Sequence, residues 1–221
     1  MNEEKITQNK LFGKTFFWMF LGLLGSGILA WYTYSSGLFM DILLGDYFYA
    51  LLIIELLVVL VFSFLFKKMP PLIVGILYFV YSMINGVTLS VIFVVFELSS
   101  IIYLFAISAL LFAVLGLIGY MTNKDLTSWK PYVMVFLIAA LLLSIINVFI
   151  VKSTTFELII DWLILALFFG ITIYDINKLK LLQSDSSINT NKIHIYCAMQ
   201  LYLDFINIFL RILAIFGKRK S

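Results

Sequence analysis

The sequence predicts an all-α integral membrane protein that crosses the bilayer seven times. Of its 221 residues, 63% are hydrophobic and only 12% are charged, whereas a soluble domain averages roughly half apolar and a quarter charged residues. A mean hydropathy of +1.10 is more than a compact soluble fold of this length could hide from water. Seven separate apolar runs complete the prediction. This composition excludes ordinary soluble enzymes, nucleic-acid binders and secreted disulfide scaffolds.

Each apolar run is long enough to cross the hydrocarbon core, which takes about 20 residues of helix at about 1.5 Å per residue. Backbone amides in lipid must be hydrogen-bonded within their own segment, so each run is assigned as a helix. The predicted spans lie near residues 16–34, 47–66, 72–96, 101–121, 132–151, 156–177 and 195–216. They form a single transmembrane domain over residues 1–221.

The connectors support these boundaries in chain order. The first run follows a polar stretch that contains Glu3 and Glu4, and it is too long for a secretory signal, so we expect a retained helix. Charged connectors at 67–71 and 122–125 separate the second run from the third and the fourth from the fifth. All three prolines fall at span boundaries, where a missing amide proton costs little. Lys152 precedes the sixth run.

The distribution of lysines predicts a cytoplasmic N-terminus, because basic residues in short loops stay on the cytoplasmic side. With the N-terminus inside, only Lys152 lies in an outer loop. Ten lysines are then inside: Lys5, Lys10, Lys14, Lys67, Lys68, Lys124, Lys130, Lys178, Lys180 and Lys192. The basic tail after Arg211 departs from this rule if the last helix crosses fully. The sequence therefore leaves two alternatives, a full crossing or a partly re-entrant last helix.

Four ionisable residues lie within the predicted spans. Glu55 is in the second span, Asp175 near the end of the sixth, and Asp204 and Arg211 in the seventh. Each costs roughly 2.5–3.5 kcal/mol at the bilayer centre even on the lenient insertion scale, so each is a candidate functional residue. Arg211 either extends towards the interface or pairs with Asp204, two helical turns earlier.

The predicted topology places Asp175 and Asp204 in the same half of the membrane. If their helices pack together, the two carboxyls should hold one proton between them and titrate as a coupled pair. A half-protonated pair has a charge-assisted hydrogen bond, which a second proton weakens and loss of the last proton replaces with repulsion. Asn207, one turn after Asp204, is a candidate further donor. These features alone indicate proton-linked cation permeation.

Three segments resemble the Bax inhibitor-1 family, the transmembrane Bax inhibitor motif proteins. They are LYLDFINIFL at 201–210, YDIN at 174–177 and NGVTLS at 85–90. The resemblance covers nearly the whole chain. It implies six helices wrapped around a central C-terminal helix, and a pH-sensitive calcium leak channel of the bacterial type, which we expect in the bacterial plasma membrane.

The resemblance also implies roles for particular residues. The family's proton-sharing sensor corresponds to Asp175 and Asp204, which also become candidate calcium-contacting residues, and its acidic residue on the second helix corresponds to Glu55. Bacterial members carry an arginine near the end of that helix, where this chain has Lys67 and Lys68. Glu55 is therefore a candidate pore or ion-interacting residue. Asn207 and Arg211, in the seventh span, are two further candidates for the same role.

The expected partners are the lipid bilayer, protons and permeant calcium ions, with no nucleic acid and no cofactor, and the sequence leaves protein partners open. We expect no enzymatic activity. A proton-coupled small-solute transporter is the main alternative, although the inverted repeats typical of transporters are not evident. An intramembrane aspartyl protease would also use two aspartates. That class has a Gly-x-Gly-Asp motif, whereas 201–203 before Asp204 reads LYL.

Overall fold

The protein, seen here in a computed structural model, is described over residues 2–45, 47–184 and 190–220, which are almost entirely helical. Its helices are α1 Asn2–Ser35, α2 Leu38–Leu44, α3 Tyr47–Leu65, α4 Pro71–Leu89, α5 Val91–Val95, α6 Leu98–Met121, α7 Lys130–Ile146, α8 Thr154–Ser184 and α9 Thr190–Phe216. Within these ranges no β-strand forms, and the only β pairing is one isolated bridge between Phe96 and Arg219.

Seven helical segments of the described residues are long and apolar enough to cross a membrane. They are Leu11–Ser35, Tyr47–Leu65, Pro71–Val95, Leu98–Met121, Thr127–Val151, Thr154–Leu182 and Lys192–Phe216. Each boundary lies within five residues of the predicted one, so the predicted seven-span, all-α fold is confirmed. The wrapping of six helices around the last one stays a prediction.

Two of the predicted spans are interrupted by local changes of helix type. The third span breaks between α4 and α5 at Ser90, whose hydroxyl donates to the Val87 carbonyl oxygen at 2.7 Å. A serine that hydrogen-bonds its own backbone competes with regular helix geometry. The fifth span ends in a π-helical turn at Asn147–Val151. Hydropathy does not register either feature, because the apolar run continues through both.

The chain divides into two compact units. The first comprises Met1–Glu97, Ser186–Tyr202 and Arg219–Ser221. In it α1 packs against α4 at close range. A β-carbon added to Gly86 would lie 2.7 Å from the carbonyl oxygen of Ser26, which is why this position of the NGVTLS segment carries glycine.

The second unit comprises Leu98–Asp185 and Leu203–Lys218, and in it α6 and α7 pack against α8. The approach of α6 to α8 is as close as that of α1 to α4. A β-carbon on Gly119 would lie 2.6 Å from the carbonyl oxygen of Ile173. On another side, Phe105 of α6 packs edge-on against Phe205 of α9 with 5.1 Å between the ring centroids. These contacts fix α8 and the second part of α9, which carry the two aspartates.

The last helix is continuous over 27 residues, and basic residues near its start and beyond its end make hydrogen bonds within the first unit. Near its start, the Lys192 ammonium donates to the carbonyl oxygen of Phe66, in the turn after α3, at 3.2 Å. Beyond its end, the Lys220 ammonium donates to the Tyr34 hydroxyl at 3.0 Å and to the Phe93 carbonyl oxygen. The two alternatives for this helix, a full crossing and a partly re-entrant helix, both stay predictions.

Candidate functional site

Asp175 and Asp204 lie in the same compact unit. Asp175, on α8, is 8% exposed and Asp204, on α9, is 3% exposed. The two carboxyls are close enough to interact electrostatically. Asp175 Oδ1 and Asp204 Oδ2 are buried and have no hydrogen-bond partner within the described part of the chain. Two buried carboxylates in one site repel each other, so the arrangement favours a proton held jointly.

Lys178 lies one helical turn beyond Asp175 on the same face of α8. Its ammonium nitrogen is 3.8 Å from Asp175 Oδ1, which is an ion-pair distance but too long for a hydrogen bond. Its charge acts on both carboxyls. In the sequence Lys178 indicates the orientation of the chain, and its i,i+3 spacing from Asp175 is also a sufficient signal for this pair.

Asn177 fixes the part of α8 that carries Asp175. Its side-chain oxygen accepts the backbone N–H of Leu126 at 3.1 Å. Its amide nitrogen donates to the carbonyl oxygens of Thr122 and Lys124, both at 3.1 Å. Three hydrogen bonds from one side chain therefore hold the α6–α7 connection against α8. The YDIN segment thus contains an asparagine that positions the aspartate two residues before it.

Asn207 makes its hydrogen bond within α9. Its amide nitrogen donates to the carbonyl oxygen of Leu203 at 2.8 Å, four residues earlier. The structure shows no bond from Asn207 to either aspartate among the described residues. The next residue, Phe205, packs against Phe112 of α6 with ring centroids 5.6 Å apart. Asp204 itself is buried, and burial makes an ionised carboxylate costly unless it is paired.

Glu55 belongs to a separate polar network in the first unit. Its carboxylate accepts the Thr88 hydroxyl at 2.7 Å and the Asn85 amide at 3.4 Å. The Tyr202 hydroxyl donates to the side-chain oxygen of Asn85 at 2.8 Å. No salt bridge of Glu55 occurs among the described residues, so its partners there are neutral. The NGVTLS and LYLDFIN segments meet through Asn85 and Tyr202, which hydropathy could not predict.

Arg211 pairs with an acid that the sequence analysis did not single out. Its Nη1 nitrogen lies 2.5 Å from Oδ1 of Asp161 on α8. Asp161 is 6% exposed and lies inside the sixth span, so the rule that selected Glu55 also applies to it. The structure therefore favours neither of the alternatives considered for Arg211, which were extension to the interface and pairing with Asp204.

The acidic side chains do not form a closed metal site. Among the described residues no group of three or more His, Cys, Asp or Glu side chains is placed to hold a metal ion. Calcium takes six to eight oxygen ligands, and two carboxyls supply at most four.

Comparisons with known proteins give related membrane proteins over nearly the full length. The family described as Inhibitor of apoptosis-promoting Bax1 matches residues 8–221. An inner membrane protein, YbhL of Escherichia coli K12, is 35% identical over 209 residues, which are 92% of this chain and 89% of that protein. An uncharacterized protein of Borreliella burgdorferi is 32% identical over 225 residues, covering 99% of this chain and 96% of the relative.

Proposed function

The chain belongs to the Bax inhibitor-1 family of multi-pass membrane proteins, and from this premise we propose that it is a pH-sensitive calcium leak channel. The observation that carries the proposal is the buried pair of Asp175 and Asp204, each with one buried oxygen that has no hydrogen-bond partner among the described residues. We place the channel in a bacterial inner membrane, where a 35% identical relative is named as resident. The N-terminus is cytoplasmic in this proposal, on the lysine distribution.

The pair gates the channel through its proton count. With one proton, the carboxyls share a charge-assisted hydrogen bond that holds α8 and α9 together at this level. A second proton replaces that bond with a weaker neutral one. Acidification therefore loosens α9 and favours the open state. This mechanism requires the shared proton, because two ionised carboxylates at this depth would repel and would lose their hydration.

Calcium is the proposed permeant ion because carboxylates are its preferred protein ligands, and acidic side chains bias pores towards cations. Asp175 and Asp204 are the proposed calcium contacts when the gate is open. Glu55 is a second acid that a cation could contact, since its side chain is only part-buried and its partners are neutral hydroxyl and amide groups. No catalytic step is part of the proposal.

The experiment is calcium entry into proteoliposomes loaded with a calcium-sensitive dye, at pH values from 5 to 8. We expect the native protein to pass more calcium as pH falls and Asp204→Asn to lose this pH dependence. Asp125→Asn is the matched control. Hydrogen bonds from the Thr127 hydroxyl and N–H hold the pKa of Asp125, an exposed loop acid, below its usual value. Asp125 therefore stays ionised across the range.

Native pH dependence in Asp204→Asn would contradict the proposed gate. A proton-coupled transporter would instead show solute-dependent proton uptake in the same vesicles. An intramembrane protease would cleave a fluorescent transmembrane peptide, and Asp175→Asn or Asp204→Asn would each abolish cleavage. We expect neither activity.

A further inference from the structure

A polar cavity lies in the second unit where the chain passes from α7 into α8. Its volume is about 330 Å³, and eight of its nine lining residues are polar, although the helices around it are strongly apolar. The charged members are Lys152, Glu157, Asp161 and Arg211. A cavity of this size and polarity can hold several water molecules. Asp161 and Arg211 lie inside the sixth and seventh spans, where charged side chains mark an ion or substrate pathway.

The backbone shapes the rim of this cavity. The π-helical turn at Asn147–Val151 ends at Lys152, which has a φ of 51°, in the left-handed region. A lysine adopts this conformation only where its surroundings hold it, and π-helical turns occur frequently at functional sites. The Asn147 side-chain oxygen accepts the backbone N–H of Ser153 at 3.2 Å, which fixes the next residue of the corner.

The ion pair of Arg211 and Asp161 also lines the cavity. Asp161 is buried, whereas the Arg211 side chain is 33% exposed. The guanidinium contacts Asp161 through Nη1, and its buried Nε nitrogen has no hydrogen-bond partner in the described residues. A single contact constrains the guanidinium less than the two parallel hydrogen bonds of a bidentate pair. The pair can therefore open without breaking a larger network.

The ion pair is positioned between the cavity and the acidic pair along α9. Arg211 comes seven residues after Asp204, which is about 10 Å of helix, and neither Asp204 nor Asp175 lines the cavity. We propose that the cavity is the outer vestibule of the cation pathway and that the Arg211–Asp161 ion pair is its gate. This inference rests on the proposed channel function and on the orientation with the N-terminus inside.

Electrostatics gives the two members of the pair opposite roles. The guanidinium repels an entering cation, as arginines do in pores that exclude cations. The Asp161 carboxylate cancels this repulsion while the pair is closed, and it attracts a cation once the guanidinium moves away. Removing the arginine should therefore raise cation entry, and removing the aspartate should lower it. A purely structural ion pair would give the same direction of change for both.

The test is calcium entry into proteoliposomes at one fixed pH for Arg211→Gln and Asp161→Asn. We expect Arg211→Gln to raise the flux about a hundredfold, the effect of a unit charge on a divalent cation about 12 Å away at an effective dielectric constant of about 20. Asp161→Asn should lower the flux by a similar factor. Arg211→Lys keeps the charge and should remain close to native. Lys130→Gln, at the start of α7, and Asp125→Asn, on the α6–α7 connection, are matched controls for charge removal.

Either single substitution leaves one charge of the pair without its partner and could prevent folding. The double variant Arg211→Gln, Asp161→Asn removes both charges, so it keeps the test possible if a single variant does not fold. Its flux should lie above native and below that of Arg211→Gln. Equal flux in the native and double variants, or a change in the same direction for both single variants, would overturn the gate.

Failure of the gate can be distinguished from failure of the channel. If the native protein passes calcium and Asp204→Asn removes the pH dependence, native flux in the Arg211 and Asp161 variants rejects the gate alone. If the native protein passes no calcium, both proposals fall together.

Discussion

Replacing Asn177 with alanine should lower the free energy of unfolding by about 2–4 kcal/mol, because three hydrogen bonds are lost at about 0.5–1.5 kcal/mol each. The side chain is 1% exposed, so water cannot easily replace it. The backbone N–H of Leu126 and the carbonyl oxygens of Thr122 and Lys124 lose their partner together. The α6–α7 connection should then separate from α8.

Asn207→Ala is the matched control, because it removes an asparagine amide that makes one hydrogen bond within its own helix. We expect this control to lose about 1 kcal/mol or less. Asn177→Asp is a second test of the geometry. The new carboxylate can still accept from Leu126, but it would face the Thr122 and Lys124 carbonyl oxygens without a donor, so it should destabilise the protein as much as alanine does.

The assay is denaturant-induced unfolding in mild detergent, followed by tryptophan fluorescence, for the native protein and the three variants. Hydrogen exchange should also show faster exchange in the α6–α7 connection for Asn177→Ala. If Asn177→Ala and Asn207→Ala were equally stable, the claim that Asn177 anchors this connection would be rejected.

Three further predictions concern packing, the Glu55 network and pH. Gly119→Ala should cost about 1–3 kcal/mol of unfolding free energy, because the added β-carbon would lie 2.6 Å from a backbone oxygen of α8. Gly116→Ala is the control: its β-carbon would have no atom within 4 Å, so the unfolding free energy should not fall. Tyr202→Phe should cost about 1–2 kcal/mol by leaving buried Asn85 without its donor, and an unchanged unfolding midpoint would contradict this. The lowered pKa of Asp125 makes its contribution to stability fully present above about pH 4 and lost as pH falls through that lowered pKa. The change in unfolding free energy between pH 5 and pH 8 should therefore be the same for Asp125→Asn and the native protein, and a different pH dependence would contradict this.

The spans were predictable because the length of an apolar run can be read from the sequence alone. The bilayer has a fixed thickness, so a run of about 20 apolar residues is long enough to cross it as a helix. The break at Ser90 and the π-helical turn before Lys152 were not predictable in this way. Both occur inside continuous apolar runs, where competing hydrogen bonds rather than hydropathy set the backbone geometry.

The partners of the charged residues were predicted less well than their positions. Asp175 and Asp204 were expected to meet because topology places both in one half of the membrane. Glu55 is bonded to Thr88 and Asn85, and Arg211 to Asp161, which depends on how each helix is rotated about its axis. The sequence alone does not determine this rotation. A search of every span for acidic residues would nevertheless have identified Asp161.

Infrared spectroscopy of the carboxyl groups tests the shared proton most directly. At neutral pH the native protein should show one more protonated carboxyl, seen as its C=O stretching band, than the double variant Asp175→Asn, Asp204→Asn. Acidification should add one more protonated carboxyl in the native protein than in the double variant, in which the other ten carboxyls still titrate. Native and double-variant spectra with the same protonated-carboxyl band at neutral pH would contradict the account.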